Sequence, residues 1–279
     1  MTEAESIAEE LGELKTDKQE LQAEIARLSK TCIVSLEHVK DLHKWLDEKR
    51  KARQSCRLVG ESRTGKTAAC ESYTLKTLKN KPKQERGQAP IVPVVYIMPP
   101  SKCGAKDLFK EIIECLRYQA VKGTVSDFRS RAMEVLKGCE VEMLIIDEAD
   151  RLKPETFPDV RDINDKLQIS VVLVGTDRLD AVIKRDEQVY NRFRSHRRFG
   201  KLTGEDFKTT VAALEKNVLK LPVASNLTST AMQKILMKAT AGYIGRLDEI
   251  LREAAIKSLS RKFKKIDKKV LQEVAREYS

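Results

Sequence analysis

Residues 60–67 read Gly60-Glu61-Ser62-Arg63-Thr64-Gly65-Lys66-Thr67, directly after the short run Arg57-Leu58-Val59. This is a complete G-x-x-x-x-G-K-[ST] loop, which requires a strand before it and a helix after it. The two glycines let the backbone curl so that successive N–H groups face a phosphate, and a helix starting near Lys66 adds its positive N-terminal end. Glu61, Ser62, Arg63 and Thr64 make up the turn between the glycines. Lys66 is expected to reach the β- and γ-phosphates of a nucleoside triphosphate, and Thr67 to offer its hydroxyl to Mg²⁺.

Further along, Val141-Glu142-Met143-Leu144-Ile145-Ile146-Asp147-Glu148 is an apolar run ending in two acids. That is the pattern of a buried parallel strand with carboxylates at its C-terminal edge, the edge where open parallel sheets bind ligands. Asp147 is expected to orient Mg²⁺ through its water shell. Glu148, one residue on and pointing differently, is placed to take a proton from the attacking water. Alone, such a run reads more often as a core strand followed by a solvated acidic turn; beside a full phosphate loop the catalytic reading prevails.

The 279 residues suit one large or two smaller domains, and 41% hydrophobic residues supply a real core. No window approaches the roughly 18 apolar residues of a membrane-spanning helix. The start, Met1-Thr2-Glu3-Ala4-Glu5, is acidic where a secretory signal is basic and then apolar, so a cytoplasmic protein with no membrane partner is expected. Six cysteines never form C-x-x-C and have three histidines beside them, which argues against a zinc site or a redox pair. Lys and Arg number 53 against 42 Asp and Glu, a net charge of +11 that points to a polyanionic partner.

Ile7, Leu11, Leu14, Leu21, Ile25 and Leu28 fall at heptad spacing, with Lys18 in the one polar core slot and Gly12 weakening the helix. Residues 1–34 therefore read as a helical arm that pairs with a partner helix or lies on its own domain or a neighbouring protomer. A helix from Ser35 to about Arg53 carries Val39, Leu42 and Leu46 on one face. After the phosphate loop a helix runs to about Leu78, and residues 79–90 read as a polar surface loop. Strands at 91–98, 141–147 and 169–175 then alternate with helices at 106–118, 126–136 and 155–167. This β/α alternation predicts an α/β domain over 35–202, a parallel sheet with helices on both faces. Beyond 203 only helical periodicity remains, at 207–219, 229–240, 246–259 and 267–278, so residues 203–279 form a helical lid domain.

Three further positions fit around a nucleotide. Thr176 ends the strand at 169–175, where it could hold the attacking water or simply cap the next helix. Asn191-Arg192-Phe193-Arg194-Ser195-His196-Arg197-Arg198-Phe199 interleaves charges with aromatics. An arginine here, Arg192 first and Arg194 second, could act on a neighbour's γ-phosphate and make hydrolysis depend on assembly; the plainer reading is a solvated face. In Gly242-Tyr243-Ile244-Gly245-Arg246, Arg246 starts a helix after two breakers and could fold back onto the phosphates or remain a surface arginine.

Over about residues 35–279 these features resemble the AAA+ ATPases. Within that superfamily the chain resembles the TniB/TnsC transposition regulators, especially those of RNA-guided, CRISPR-associated transposons. The closer resemblance is carried by residues 60–67, by Met143-Leu144-Ile145-Ile146-Asp147-Glu148-Ala149-Asp150-Arg151-Leu152, by Val174-Gly175-Thr176-Asp177-Arg178-Leu179 and by Gly242-Tyr243-Ile244-Gly245-Arg246-Leu247. It implies an ATP- and Mg²⁺-dependent homo-oligomer, a ring or helical filament joined head to tail through its ATP sites on double-stranded DNA. Such an assembly links target-selection adaptor proteins to the transposase without cleaving DNA itself. The chain departs from many AAA+ proteins in carrying Thr176 where an asparagine is common.

A filament on DNA needs a repeated phosphate contact from every protomer. Lys102, Lys106 and Lys110 around the start of one helix, and Lys122 with Thr124 before the next, are the best candidates, and the resemblance implies that these loops face DNA. Lysines and backbone donors suit phosphates rather than bases, so binding is expected to ignore sequence. The ordinary alternative is a lysine-bearing helix with a threonine N-cap. Arg261-Lys262-Phe263-Lys264-Lys265 with Lys268-Lys269 reads as a solvated face or a partner-docking patch. Two rivals share the nucleotide motifs: a replication helicase loader or origin initiator, and a protein-remodelling ATPase. The second needs an aromatic pore loop, and Ser101-Lys102-Cys103-Gly104-Ala105-Lys106 has no aromatic.

Overall fold

The computed structural model describes Gln19 and residues 21–30, 36–79, 89–119 and 122–278. The heptad positions Ile7, Leu11, Leu14 and Lys18, and most of the polar loop at 79–90, lie outside the described residues. The chain forms two compact units, Glu37–Gly200 and a second that joins the segment before Glu37 to Lys201 onward.

Helix α1 covers residues 21–29 and belongs to the second unit. The first unit runs α2 (Glu37–Lys51), β1 (Cys56–Val59), α3 (Lys66–Lys79), β2 (Val94–Ile97), α4 (Ala105–Cys115), α5 (Val125–Gly138), β3 (Met143–Ile146), α6 (Phe157–Leu167), β4 (Ser170–Gly175), α7 (Asp177–Ile183), α8 (Glu187–Arg192) and β5 (His196–Arg198). Strand order is β2-β3-β4-β1-β5, and every pairing is parallel. The three expected strands and the strand before the phosphate loop are all present. The fifth, β5, was not legible: His196-Arg197-Arg198 has no apolar run and forms a strand by pairing with β1, where the edge position leaves its charges in water and those charges discourage pairing with another chain.

Period-two alternation divides the strand side chains between two cores. Val95, Ile97, Leu144, Ile146, Val171 and Leu173 face a cluster shared with α4, α5, α6, α7 and α8. Cys56, Leu58, Val94, Met143, Ile145, Val172 and Val174 face Leu42 and Leu46 of α2 and Ala69, Cys70 and Tyr73 of α3. The result is a helix–sheet–helix sandwich with the carboxyl ends of β1, β3 and β4 side by side. Arg57, in what reads as an apolar strand, is 2% exposed. Its guanidinium lies 5.2 Å from the Tyr190 ring centre, and its Nη1 sits 3.0 Å from Asp180 Oδ1 without hydrogen-bond alignment. Through it β1 holds α7 and α8 in register.

The second unit contains α9 (Gly204–Leu214), a π-helical turn (Glu215–Leu219), α10 (Thr230–Thr240), α11 (Ile244–Ser260) and α12 (Lys268–Glu277). Its core is mostly aliphatic, with Phe207 buried among the leucines, and Leu28 of α1 is fully buried in it. Arg27 donates to the carbonyls of Val218 and Leu219 at 2.7 and 2.6 Å, and Arg252 donates to those of Leu28 and Lys30 at 2.6 and 2.7 Å. These bonds cap carbonyls left free at helix ends. Among the described residues no helix is long and apolar enough to cross a membrane.

Candidate nucleotide-binding site

The loop at 60–65 leaves β1 and closes on α3, as the motif requires. Gly60 N–H donates to the Gly175 carbonyl at 3.1 Å, so the loop starts pinned to the end of β4. A Cβ on Gly60 would lie 2.2 Å from the Phe199 carbonyl oxygen, which admits only glycine. Arg63 and Gly65 both take left-handed backbone, φ 64° and 93°, which turns the chain back toward α3. Lys66 Nζ donates to the carbonyls of Gly60 and Glu61 at 2.8 and 2.7 Å, which sets its charge against the loop. Burial lowers its pKa, opposed by Asp147, Glu148 and Asp150, so an anion placed on this ammonium is attracted with little competing water.

The acidic strand meets this loop directly. Thr67 Oγ1 donates to Asp147 Oδ2 at 2.7 Å, and Asp147 is 2% exposed. Two more donors hold the same carboxylate: the Tyr96 hydroxyl on Oδ2 and the Glu148 amide on Oδ1, each at 2.7 Å. Burial and the Asp147 charge both push the Tyr96 phenol pKa up, so it remains a donor at every physiological pH. Tyr96 was missed because its approach depends on β2 lying beside β3, with Tyr96 opposite Ile145. A tyrosine in the otherwise aliphatic Val94-Val95-Tyr96-Ile97 was the only signal.

Glu148 sits in left-handed backbone, φ 48° and ψ 41°, where a non-glycine residue costs about 1–3 kcal/mol. Its carboxylate forms a half-exposed ion pair with Arg151 at 3.1 Å, and Arg151 also reaches the Pro99 carbonyl at 3.4 Å. Thr176 follows β4, adjacent to β3 and β1, and its Oγ1 accepts from Arg178 N–H at 3.3 Å as the N-cap of α7. Lys66, Thr67, Asp147, Glu148 and Thr176 thus gather at one sheet edge.

The donor set fits a magnesium nucleotide. A buried carboxylate beside a threonine hydroxyl is a hard oxygen pair suited to Mg²⁺, and a lysine with glycine-loop amides suits phosphates. When bound, the metal neutralises charge on the phosphoryl group. With such a group bound, Thr67 and Asp147 would hold the metal, and Lys66 with the 60–65 amides would hold the phosphates.

The remaining candidates have other partners. Arg192 ends α8 and pairs with Asp165 of α6 at 2.5 Å, whereas the exposed Arg194 side chain makes no hydrogen bond or ion pair among the described residues. Arg246 belongs to the helical unit. There its guanidinium lies 5.1 Å and Lys201 Nζ 4.5 Å from the Tyr243 ring centre. Gly242 makes that turn, with φ 80° and room for no Cβ beside the Leu202 carbonyl.

Among the lysines proposed to face DNA, Lys102 occupies left-handed backbone and Lys110 pairs with Glu114 at 3.6 Å. Lys106 Nζ lies 5.2 Å from the centre of the Phe128 ring, in the first turn of α5. That brings α4 and the 122–124 turn together at one end of the unit. Thr124 is the α5 N-cap: its N–H and hydroxyl both donate to Asp127 Oδ2, and Asp127 N–H donates back to its hydroxyl. Those donors are engaged within the helix, so a phosphate here would rely on Lys122 and the amides of Val125 and Ser126.

The profile of the family described as "Bacterial TniB protein" matches residues 21–201, which is more than half of the chain. The chain belongs to the TniB family. No curated protein matches the sequence. Solved structures extend the likeness in fold. Cdc6p from Pyrobaculum aerophilum superposes with a TM-score of 0.72 at 18% identity, covering 91% of this chain and 70% of its own. The Aeropyrum pernix ORC1 protein, solved in complex with DNA, gives 0.69 at 16%, covering 91% and 69%. The Thermotoga maritima RuvB Holliday junction branch migration motor gives 0.56 at 11%, covering 90% and 72%. At such identities the likeness is one of fold, an AAA+ sheet with flanking helices and a helical C-terminal region.

Proposed function

We propose that this TniB protein is an ATP-dependent regulator of transposition that assembles head to tail on double-stranded DNA without reading its sequence. It joins the adaptor proteins that select a target site to the transposase, in a transposon of the RNA-guided, CRISPR-associated kind. Hydrolysis, slow in the isolated protein, releases the assembly when a partner engages it. The observation that carries the reading is the contact of Thr67 with Asp147, braced by Tyr96 and flanked by Lys66 and Glu148. Lys66 and the loop amides hold the phosphates, Thr67 and Asp147 the metal, and Glu148 accepts the proton of the attacking water. Arg192 or Arg194 completes the site from the neighbouring protomer, and Arg246 is the phosphate-binding candidate among the residues of the helical unit. Arg194 is the readier of the two arginines, because Arg192 must first leave Asp165. Lys102, Lys106, Lys110, Lys122 and the turn at Thr124 meet DNA phosphates.

The likeness to Cdc6p and ORC1 favours a second reading, a replication initiator or helicase loader. Electron microscopy with duplex DNA and a non-hydrolysable ATP analogue separates the two, since a regular polymer spanning arbitrary DNA is expected only of the first. Lys66→Ala is expected to abolish ATP-dependent DNA binding. Polymers of that variant as long as those of the wild type would refute the mechanism.

A further inference from the structure

The helical unit carries a groove that takes no part in the nucleotide chemistry. One end is a cavity of about 290 Å³ lined by Val223, Phe263, Asp267 and Lys262, Lys264 and Lys265. The other end, about 360 Å³, is lined in part by Leu219, Leu221, Glu215, Lys216 and Lys220, and it shares Val223 with the first. The two segments are stitched together, with Val223 N–H donating to the Lys264 carbonyl at 3.1 Å and Ile266 N–H to Ser225 Oγ at 2.9 Å. Phe263 N–H is held by the Ser258 carbonyl at 2.9 Å, and Ile266 is buried. The groove is therefore preformed.

Its chemistry is lopsided. Phe263 is 44% exposed and Val223 43%, a large aromatic and a branched aliphatic left facing water. Lys216, Lys220, Lys262, Lys264 and Lys265 are exposed, and none makes an ion pair among the described residues. The acids of the lining are already engaged. Glu215 accepts the amides of Ser225 and Leu227 at 2.6 and 3.1 Å, and Asp267 caps α12 through Val270 N–H at 2.8 Å. The nearby Arg261 is paired with Glu273. The lining thus sets five lysines against the two carboxylates of Glu215 and Asp267, which leaves a net positive rim around an apolar floor.

We propose that this groove docks an acidic amphipathic peptide segment of a partner protein, with apolar side chains seated on Val223 and Phe263 and carboxylates meeting the lysines. Charge complementarity selects the sign of the partner, and the apolar floor selects its class. A duplex backbone would satisfy the lysines but leave Phe263 and Val223 wet, whereas a helix with one apolar face covers both. The lysines steer encounter and the apolar anchors set the residence time.

The test uses the full-length protein without nucleotide, so its failure leaves the ATP-dependent reading intact. The probe is a labelled synthetic peptide with leucines at i, i+3, i+4 and i+7 and glutamates between them, followed by fluorescence anisotropy. Saturable binding is expected, weakened roughly tenfold or more by Phe263→Ala and by the Lys264→Glu/Lys265→Glu pair. Both variants should keep the wild-type melting temperature, since the residues are exposed. Equal affinity for a peptide with serines in place of the leucines would overturn the proposal, as would unchanged binding by both variants. So would a short DNA duplex that binds the groove, loses affinity with the lysine pair and displaces the peptide.

Discussion

Replacing Tyr96 with phenylalanine removes one oxygen and leaves the ring, and its effect follows from what surrounds Asp147. That carboxylate is nearly sealed from water and accepts from three donors, the Thr67 hydroxyl, the Tyr96 hydroxyl and the Glu148 amide. A hydrogen bond to a buried charge contributes about 1.5–3 kcal/mol, and water cannot readily replace it where the acceptor is covered. In a unit of this size each kcal/mol moves the melting temperature by about 2–4 °C, so Tyr96→Phe should melt about 3–12 °C below the wild type. Ligand-loaded protein should behave differently. A divalent cation beside Asp147 compensates its charge, so the lost donor matters less once Mg²⁺ and a non-hydrolysable nucleotide are bound. Differential scanning fluorimetry of both proteins, free and loaded, reads both quantities. The variant should start lower and gain more on loading. A variant that melts with the wild type when free, or gains the same increment, would refute the account of Tyr96 as the brace of the carboxylate proposed to hold the metal.

Glu148→Gln should cut ATP turnover by about 10²–10⁴-fold while nucleotide affinity persists, trapping polymers on DNA; a variant that disassembles at the wild-type rate would remove Glu148 as the base. Gly60→Ala should destabilise the first unit by about 1–3 kcal/mol and loosen nucleotide binding, because the new methyl meets the Phe199 carbonyl rather than a movable side chain. Thermal melts with and without nucleotide check both effects. In the helical unit, Glu273 accepts from Arg261 and Lys257, which lowers its pKa from 4.5 to about 2. A lowered carboxylate pKa stabilises the fold above the unfolded value and loses that support as pH falls through the folded one. Wild type and Glu273→Gln should therefore differ in thermal stability at neutral pH and converge between pH about 4.5 and about 2, followed by circular dichroism.

Much of the first unit was legible because its signals are local. The glycines and Lys66 act through backbone a few residues away, and Asp147-Glu148 ends an apolar run whose burial on both faces is written in consecutive residues. The helices of the second unit were equally readable from their periodicity. The short α7 and α8 and the charged strand β5 escaped, since a strand of His196, Arg197 and Arg198 exists only because β1 offers it an edge.

Composition and order along the chain by themselves determined a phosphate loop, a parallel sheet and a helical region after it, since each depends on spacing within one segment. Only the tertiary structure decided which polar groups share a pocket. Tyr96 reaches Asp147 from the neighbouring strand, Glu148 in left-handed backbone pairs with Arg151, Arg192 is held by Asp165, and α1 buries Leu28 in a core built mostly from residues beyond 200. Those contacts join residues tens to hundreds of positions apart, or depend on a backbone twist that local residue preference disfavours. No pattern within one stretch of sequence encodes them.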